Sequence, residues 1–158
     1  MNLKNPLSWL ALGFGSGLSP VAPGTAGSIF ALAIYYFFFF GNIIEWSDHL
    51  FFISFVVLSF FVGLYIYPKT VKEQNDPGSF VWDEFVGMWV ACIPLAIIDH
   101  SLQWLIIAFV LFRIFDIWKP LGIKKMDSKH GAFYVMIDDV LAGIFSGVLV
   151  IFLSYFLI

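Results

Sequence analysis

Val81-Trp82-Asp83-Glu84-Phe85-Val86-Gly87-Met88-Trp89 sets two adjacent carboxylates at the head of an apolar run that continues to Ile98. In a soluble domain such a pair would rest in water. This run is long enough to enter a bilayer. A charge there costs roughly 2.5–3.5 kcal/mol at the centre of a span and less near its ends. The rest of the chain decides between these settings. Of 158 residues, 61% are hydrophobic and 12% charged, against about 45–50% and about 25% in soluble domains. Mean hydropathy is +0.93. The composition predicts an all-α integral membrane protein, and the length predicts one membrane-embedded domain over residues 1–158.

Outward from the opening stretch, hydropathy predicts about five transmembrane helices: residues 27–44, 50–67, 80–98, 102–118 and 132–158. Pro94 kinks the third or starts its exit. Residues 7–18 are apolar but short and glycine-rich, and read as an N-terminal interfacial or re-entrant segment. Residues 15–28 read as a loop dense in Gly, Pro, Ser and Thr. A cleaved signal peptide is not expected, because Gly13, Gly15, Gly17, Pro20 and Pro23 interrupt any helix there. The Phe37–Phe40 run reads as lipid-facing. Cys92, alone of its kind, excludes an internal disulfide and reads as a buried apolar residue. Net charge is -3, and no basic patch is large enough for nucleic acid. Oligomeric state is not encoded in any pattern.

Positive charge sets the expected orientation. Lys69 and Lys72 lie in loop 68–78, and Lys119, Lys124, Lys125 and Lys129 lie in loop 119–131. Lys4 lies at the N-terminus, and loops 45–49 and 99–101 carry no Lys or Arg. The positive-inside rule puts the N-terminus and the lysine loops in the cytoplasm and the C-terminus outside.

On that topology the costly residues fall at one depth. Asp83 and Glu84 begin a span that enters from the cytoplasm, and so do Asp138 and Asp139. Arg113, Asp116 and Lys119 close a span that returns there, on one helix face at three-residue spacing. Asp83 shares a face with Gly87, and Asp139 with Gly143, so a neighbouring helix can approach closely behind the carboxylates. The blander readings are solvated span ends, an acidic first turn that favours the helix dipole, and a snorkelling cationic face. All of them coinciding at one depth is a stronger requirement than any one alone.

Five carboxylates against Arg113 and Lys119 leave an excess of negative charge, which a hard divalent cation relieves. The donors are oxygens without a His/Cys set, which favours Mg²⁺. Mg²⁺ commonly binds carboxylates together with substrate phosphate, which points to a phosphate-bearing substrate. Gly24, Thr25 and Ser28, where a glycine-rich turn opens a helix, add amides and hydroxyls that suit an anion. His49 and His100 read as interfacial loop residues. His130 is the histidine expected on the cytoplasmic side. Asp127 with Lys124, Lys125 and Lys129 reads as a solvated loop facing anionic lipid.

Taken together, these stretches resemble the phosphatidylglycerophosphatase A family of bacterial membrane lipid phosphatases. The resemblance rests on Gly15-Ser16-Gly17-Leu18-Ser19-Pro20, Ala22-Pro23-Gly24-Thr25-Ala26-Gly27-Ser28 and Asp83-Glu84-Phe85-Val86-Gly87-Met88-Trp89. It continues through Phe112-Arg113-Ile114-Phe115-Asp116-Ile117 with Lys119-Pro120, and His130-Gly131 with Met136-Ile137-Asp138-Asp139 and Ala142-Gly143. Leu121 and Gly122 depart from the family's Trp and Pro, and Ala132, Phe133 and Tyr134 from its glycine-rich turn. The resemblance implies Mg²⁺-dependent hydrolysis of phosphatidylglycerophosphate to phosphatidylglycerol and phosphate in the bacterial cytoplasmic (inner) membrane, multi-pass, with the active site on the cytoplasmic side. In that reading Asp83, Glu84, Asp138 and Asp139 hold the metal. Arg113, Lys119, Gly24, Thr25 and Ser28 take the phosphate, and Asp116 orients Arg113, ligates metal or attacks phosphorus. The alternative class is a small cation- or proton-coupled transporter, which calls for carboxylates near mid-bilayer and open to both sides.

Overall fold

The computed structural model describes residues 1–71, 78–98, 101–120, 123 and 131–157. Among them every regular element is helical. Residues Lys72, Asp99, His100, Leu121, Gly122, Lys124, Lys125, Asp127, Lys129 and His130 lie outside the described residues, so the readings made for them have no structural counterpart here.

The N-terminal segment is a short helix, α1 (Pro6–Ala11), followed by a 3₁₀ turn over Gly13–Leu18. Helix α2 (Pro23–Phe38) then starts several residues before the sequence reading placed its span. Pro23 sits at the first position, where its fixed φ suits a helix and its missing N–H costs nothing. Ala22 before it is left-handed, at φ 49°. Much of the stretch read as a loop is therefore helical, and Gly24, Thr25 and Ser28 lie in the first turns of α2.

Helix α3 (Trp46–Thr70) opens on a capping box, in which Glu45 and Asp48 accept from each other's end of the turn. This reciprocal cap extends the helix into what the sequence presents as a polar turn. Helix α4 (Trp82–Cys92) is followed by a 3₁₀ turn over Ile93–Ala96. Its 11 residues rise only about 16 Å, so α4 alone is shorter than the roughly 20 residues a full span needs. Helix α5 (Leu102–Trp118) has the boundaries read from sequence, and α6 (Ala132–Leu157) begins where its span was expected. Among the described residues, two helices, Trp46–Thr70 and Ala132–Phe156, are long and apolar enough to cross a membrane.

Helix α4 is the centre of the packing. Asp83, Phe85, Val86, Gly87, Met88, Trp89, Ala91 and Cys92 are all buried. Two indoles fix its rotation: Trp82 Nε1 donates to Ser59 O on α3 and Trp89 Nε1 to Ala31 O on α2, both at 2.9 Å. The Val81 amide donates to Ala11 O at 2.9 Å, which ties the entrance of α4 to α1. Against α6 the backbones nearly touch. A side chain at Gly143 would strike the carbonyl of Gly87 and lie 2.9 Å from Val90. One at Gly87 would meet Asp139 O and the Phe112 ring, both at 2.7 Å. Small residues are what permit such an approach between membrane helices.

The outside is apolar. Phe37, Phe38, Leu58, Phe61, Phe152 and Tyr155 point outward, and so extensive an apolar surface suits lipid rather than water. The phenylalanine run is not wholly lipid-facing, however. Phe39 packs inward on Phe52 and Phe55, with ring centroids 4.7 and 5.3 Å away.

Gly143→Ala is expected to lower the melting temperature in detergent, by overpacking worth about 1–3 kcal/mol. Gly78→Ala, where an added Cβ makes only an ordinary contact, is the control. Equal melting of the two variants would contradict the close α4–α6 approach.

Candidate active site

The first turn of α4 carries Asp83 and Glu84, and the second turn of α6 carries Asp138 and Asp139. Because Gly87 and Gly143 let these helices close up, the two acidic pairs face each other. Oxygens of Asp83, Glu84 and Asp139 lie within 4.8 Å of one another. Asp83 and Asp139 are buried. Local bonds orient each pair: Asp83 Oδ1 accepts from the Glu84 amide at 3.0 Å, and Asp138 Oδ1 from the Asp139 amide at 3.1 Å.

Helix α5 brings the cations. Arg113 Nη1 stands 2.8 Å from Asp116 Oδ2 and donates to Ser28 Oγ at 3.1 Å. Ser28 in turn donates to Gly24 O at 2.8 Å. Asp116 is close enough to Glu84 and Asp139 to act on their charge. Lys119 closes α5 in the left-handed region, at φ 46°. Non-glycine residues rarely adopt that conformation, and it collects at functional sites. From there Lys119 Nζ reaches Asp138 Oδ2 at 2.6 Å.

The N-terminus of α2 completes the ring. A Cβ on Gly24 would run into Glu84 Oε1 and lie 3.6 Å from Arg113 Nη2. Only glycine lets the first turn of α2 come this near. The first-turn amides of a helix have no acceptor within it and favour an anion. Thr25 instead borders an apolar groove beside Arg113.

Asp83, Glu84, Asp116, Asp138, Asp139, Arg113, Lys119, Gly24 and Ser28 lie near one another, and Thr25 stands beside them at the groove. Asp83, Glu84 and Asp139 form the candidate ligand group. Asp138 sits beside them with one oxygen on Lys119, and Ser28 supports Arg113. Sequence reading missed the groove along Phe109, Val110, Ile114 and Ile117. Its only signal was an apolar stripe at helical spacing around Arg113, the pattern of any lipid-facing helix.

The carboxylate group fits a hard cation. Its donors are all oxygens, which suits Mg²⁺ or its relatives. Glu84 Oε2 and Asp139 Oδ2 are buried with no hydrogen-bond partner among the described residues. Such atoms are costly unless something binds them.

A profile of the family Phosphatidylglycerophosphatase A matches residues 9–154, nearly the whole chain. The chain belongs to this family. Two relatives named phosphatidylglycerophosphatase A are each 41% identical to it. The protein from Escherichia coli (strain K12) aligns over 98% of this chain and 87% of its own length. That from Haemophilus influenzae aligns over 100% and 94%. A Bacteroides thetaiotaomicron protein, provisionally named a phosphatidylinositol-3-phosphatase, is also 41% identical, over 89% of each chain. No solved structure matches. The aligned relatives all carry names of lipid phosphatases, and membership of the phosphatidylglycerophosphatase A family makes this chain a membrane-associated hydrolase of phosphate monoesters.

Proposed function

We propose that the chain hydrolyses phosphatidylglycerophosphate to phosphatidylglycerol and inorganic phosphate on the cytoplasmic side of a bacterial inner membrane. It would act as one membrane-embedded unit with about five membrane-crossing segments. The observation that carries the reading is the convergence of Asp83, Glu84 and Asp139 within 4.8 Å, beside two cationic side chains, in a member of this family. Two relatives bear the name of this activity. The third is named for another lipid phosphomonoester, which supports the shared chemistry and makes headgroup choice the finer part of the proposal. A transporter is not favoured, because the carboxylates gather at the ends of α4, α5 and α6 that meet on one side.

In this reading Asp83, Glu84 and Asp139 hold Mg²⁺. Asp138 contributes through Lys119, whose ammonium it fixes. Bound there, Mg²⁺ supplies Lewis acidity and neutralises phosphate charge. Arg113 and Lys119 face the phosphate oxygens, with Gly24 and Thr25 amides at the α2 N-terminus adding a preorganised anion site. Asp116, paired to Arg113 at 2.8 Å, orients the guanidinium, and attack falls to water. The water oxygen bonds to phosphorus, the bond from phosphorus to the glycerol oxygen breaks, and that oxygen takes up a proton. A neighbouring carboxylate receives the proton lost by the water. Phosphoryl transfer depends mostly on such positioning and charge stabilisation.

The purified chain should release phosphate from short-chain phosphatidylglycerophosphate with Mg²⁺, and faster than from phosphatidic acid or phosphatidylinositol 3-phosphate. EDTA, or Asp83→Asn, should each lower the rate by roughly a hundredfold or more. Activity that survives both would overturn the mechanism. For the topology, a reporter fused at the N-terminus should read cytoplasmic and one fused at the C-terminus external. Both on one side would defeat the odd number of crossings.

A further inference from the structure

Helices α2 and α5 run side by side, and their seam is not closed. Near the charged cluster it opens into a cavity of about 550 Å³, within the roughly 300–1,000 Å³ range of ligand sites. Phe109, Val110, Ile114 and Ile117 give it an apolar wall. Its polar members are Arg113, Thr25 and the Trp118 indole. Further along the same seam lies a second cavity of about 260 Å³, between Ile29, Ala33 and Phe37 of α2 and Leu102 and Leu105 of α5. On α2, positions 25, 29, 33 and 37 form one stripe, and on α5 so do 102, 105, 109, 113 and 117. The two cavities are therefore successive stretches of one gutter.

Resting on the phosphatase reading, we propose that this gutter holds one acyl chain of the lipid whose phosphate lies at the carboxylate cluster. Three observations choose that occupant. Arg113 belongs to both places, since it lines the cavity and also pairs with Asp116 and Ser28. An anionic headgroup at its guanidinium therefore leaves an attached chain at the mouth of the gutter. Apart from the Trp118 indole beside Arg113 and the Tyr36 hydroxyl further along, the remaining wall is hydrocarbon, which suits an acyl chain. The length also fits. From Arg113 to Leu102 the helix rises about 16 Å, close to half of the roughly 30 Å hydrocarbon core, which is one leaflet. The substrate would enter sideways from the bilayer between α2 and α5, keeping its tail in an apolar medium throughout. Recognition is then divided, with the headgroup read at the cluster and one acyl chain held by the seam.

The test is photocrosslinking of the full chain in nanodiscs. A benzophenone amino acid is placed at Val110 or Ala33 in the gutter, or at Leu58 or Phe152 on outward surfaces elsewhere. The probe is a non-hydrolysable diacyl phosphonate with a radiolabelled acyl chain. Labelling at Val110 and Ala33 should be competed by unlabelled phosphonate and not by diacylglycerol, whereas labelling at Leu58 and Phe152 should be low and uncompeted. In parallel, Ile114→Trp and Ala33→Trp should raise KM for a long-chain substrate roughly tenfold, and much less for a dihexanoyl one. Uncompeted labelling, equal at all four positions, would overturn the proposal. So would KM shifts independent of chain length. Competed gutter labelling without hydrolysis of any lipid phosphate would sink the phosphatase reading and leave the gutter standing. Hydrolysis without competed labelling would do the reverse.

Discussion

Carboxylates buried at the meeting point of apolar helices are the constraint that shapes this molecule. Each is costly to bury and repels the others. The chain nevertheless brings them together, through backbone contact. Gly87 and Gly143 lack the side chains that would hold α4 and α6 apart. The α4 rotation that aims Asp83 and Glu84 at α6 is fixed by uncharged contacts, Trp82 on Ser59 and Trp89 on Ala31. Fold and site are thus one arrangement, since the glycines that pack the helices also position the acids.

Helix α5 divides the compensation unevenly. Lys119 engages Asp138, and Arg113 engages Asp116 while resting on Ser28. Oxygens of Asp83, Glu84 and Asp139 share one small volume, where Glu84 Oε2 and Asp139 Oδ2 have no hydrogen-bond partner among the described residues. A bundle needing only structural neutrality would satisfy those two buried oxygens. Buried ion pairs are weak contributors to stability in any case, so these two open oxygens are better understood as a place for a cation.

The sequence revealed the site better than the helices that build it. Acids and bases in an apolar chain stand out because their cost is large, and the topology expected from the charges groups them at one depth. The α5 boundaries were also legible, since Ser101 and Lys119 flank a mainly apolar run. Other features were hidden for physical reasons. Hydropathy does not register that Pro23 starts a helix inside a loop-like composition, or that the helical run of α4 stops at Cys92. It also cannot tell Phe37 and Phe38, which face outward, from Phe39, which packs inward. The role of Gly24 depends on Glu84, sixty residues away, and no local pattern carries that. The seam between α2 and α5 was invisible because lipid-facing and tail-binding residues are the same amino acids.

The central claim is that carboxylates from two helices hold one ion, and Mn²⁺ binding followed by electron paramagnetic resonance tests it most directly. Outer-sphere changes around metal sites commonly cost about 10–100-fold in affinity, so loss of a direct ligand should cost at least as much. Asp83→Asn and Asp139→Asn should each weaken Mn²⁺ binding by roughly tenfold or more. The double variant should lose less than the sum of the two, as expected for ligands of a shared ion. Binding by Asp139→Asn that equals the unsubstituted protein, or two effects that simply add, would contradict it.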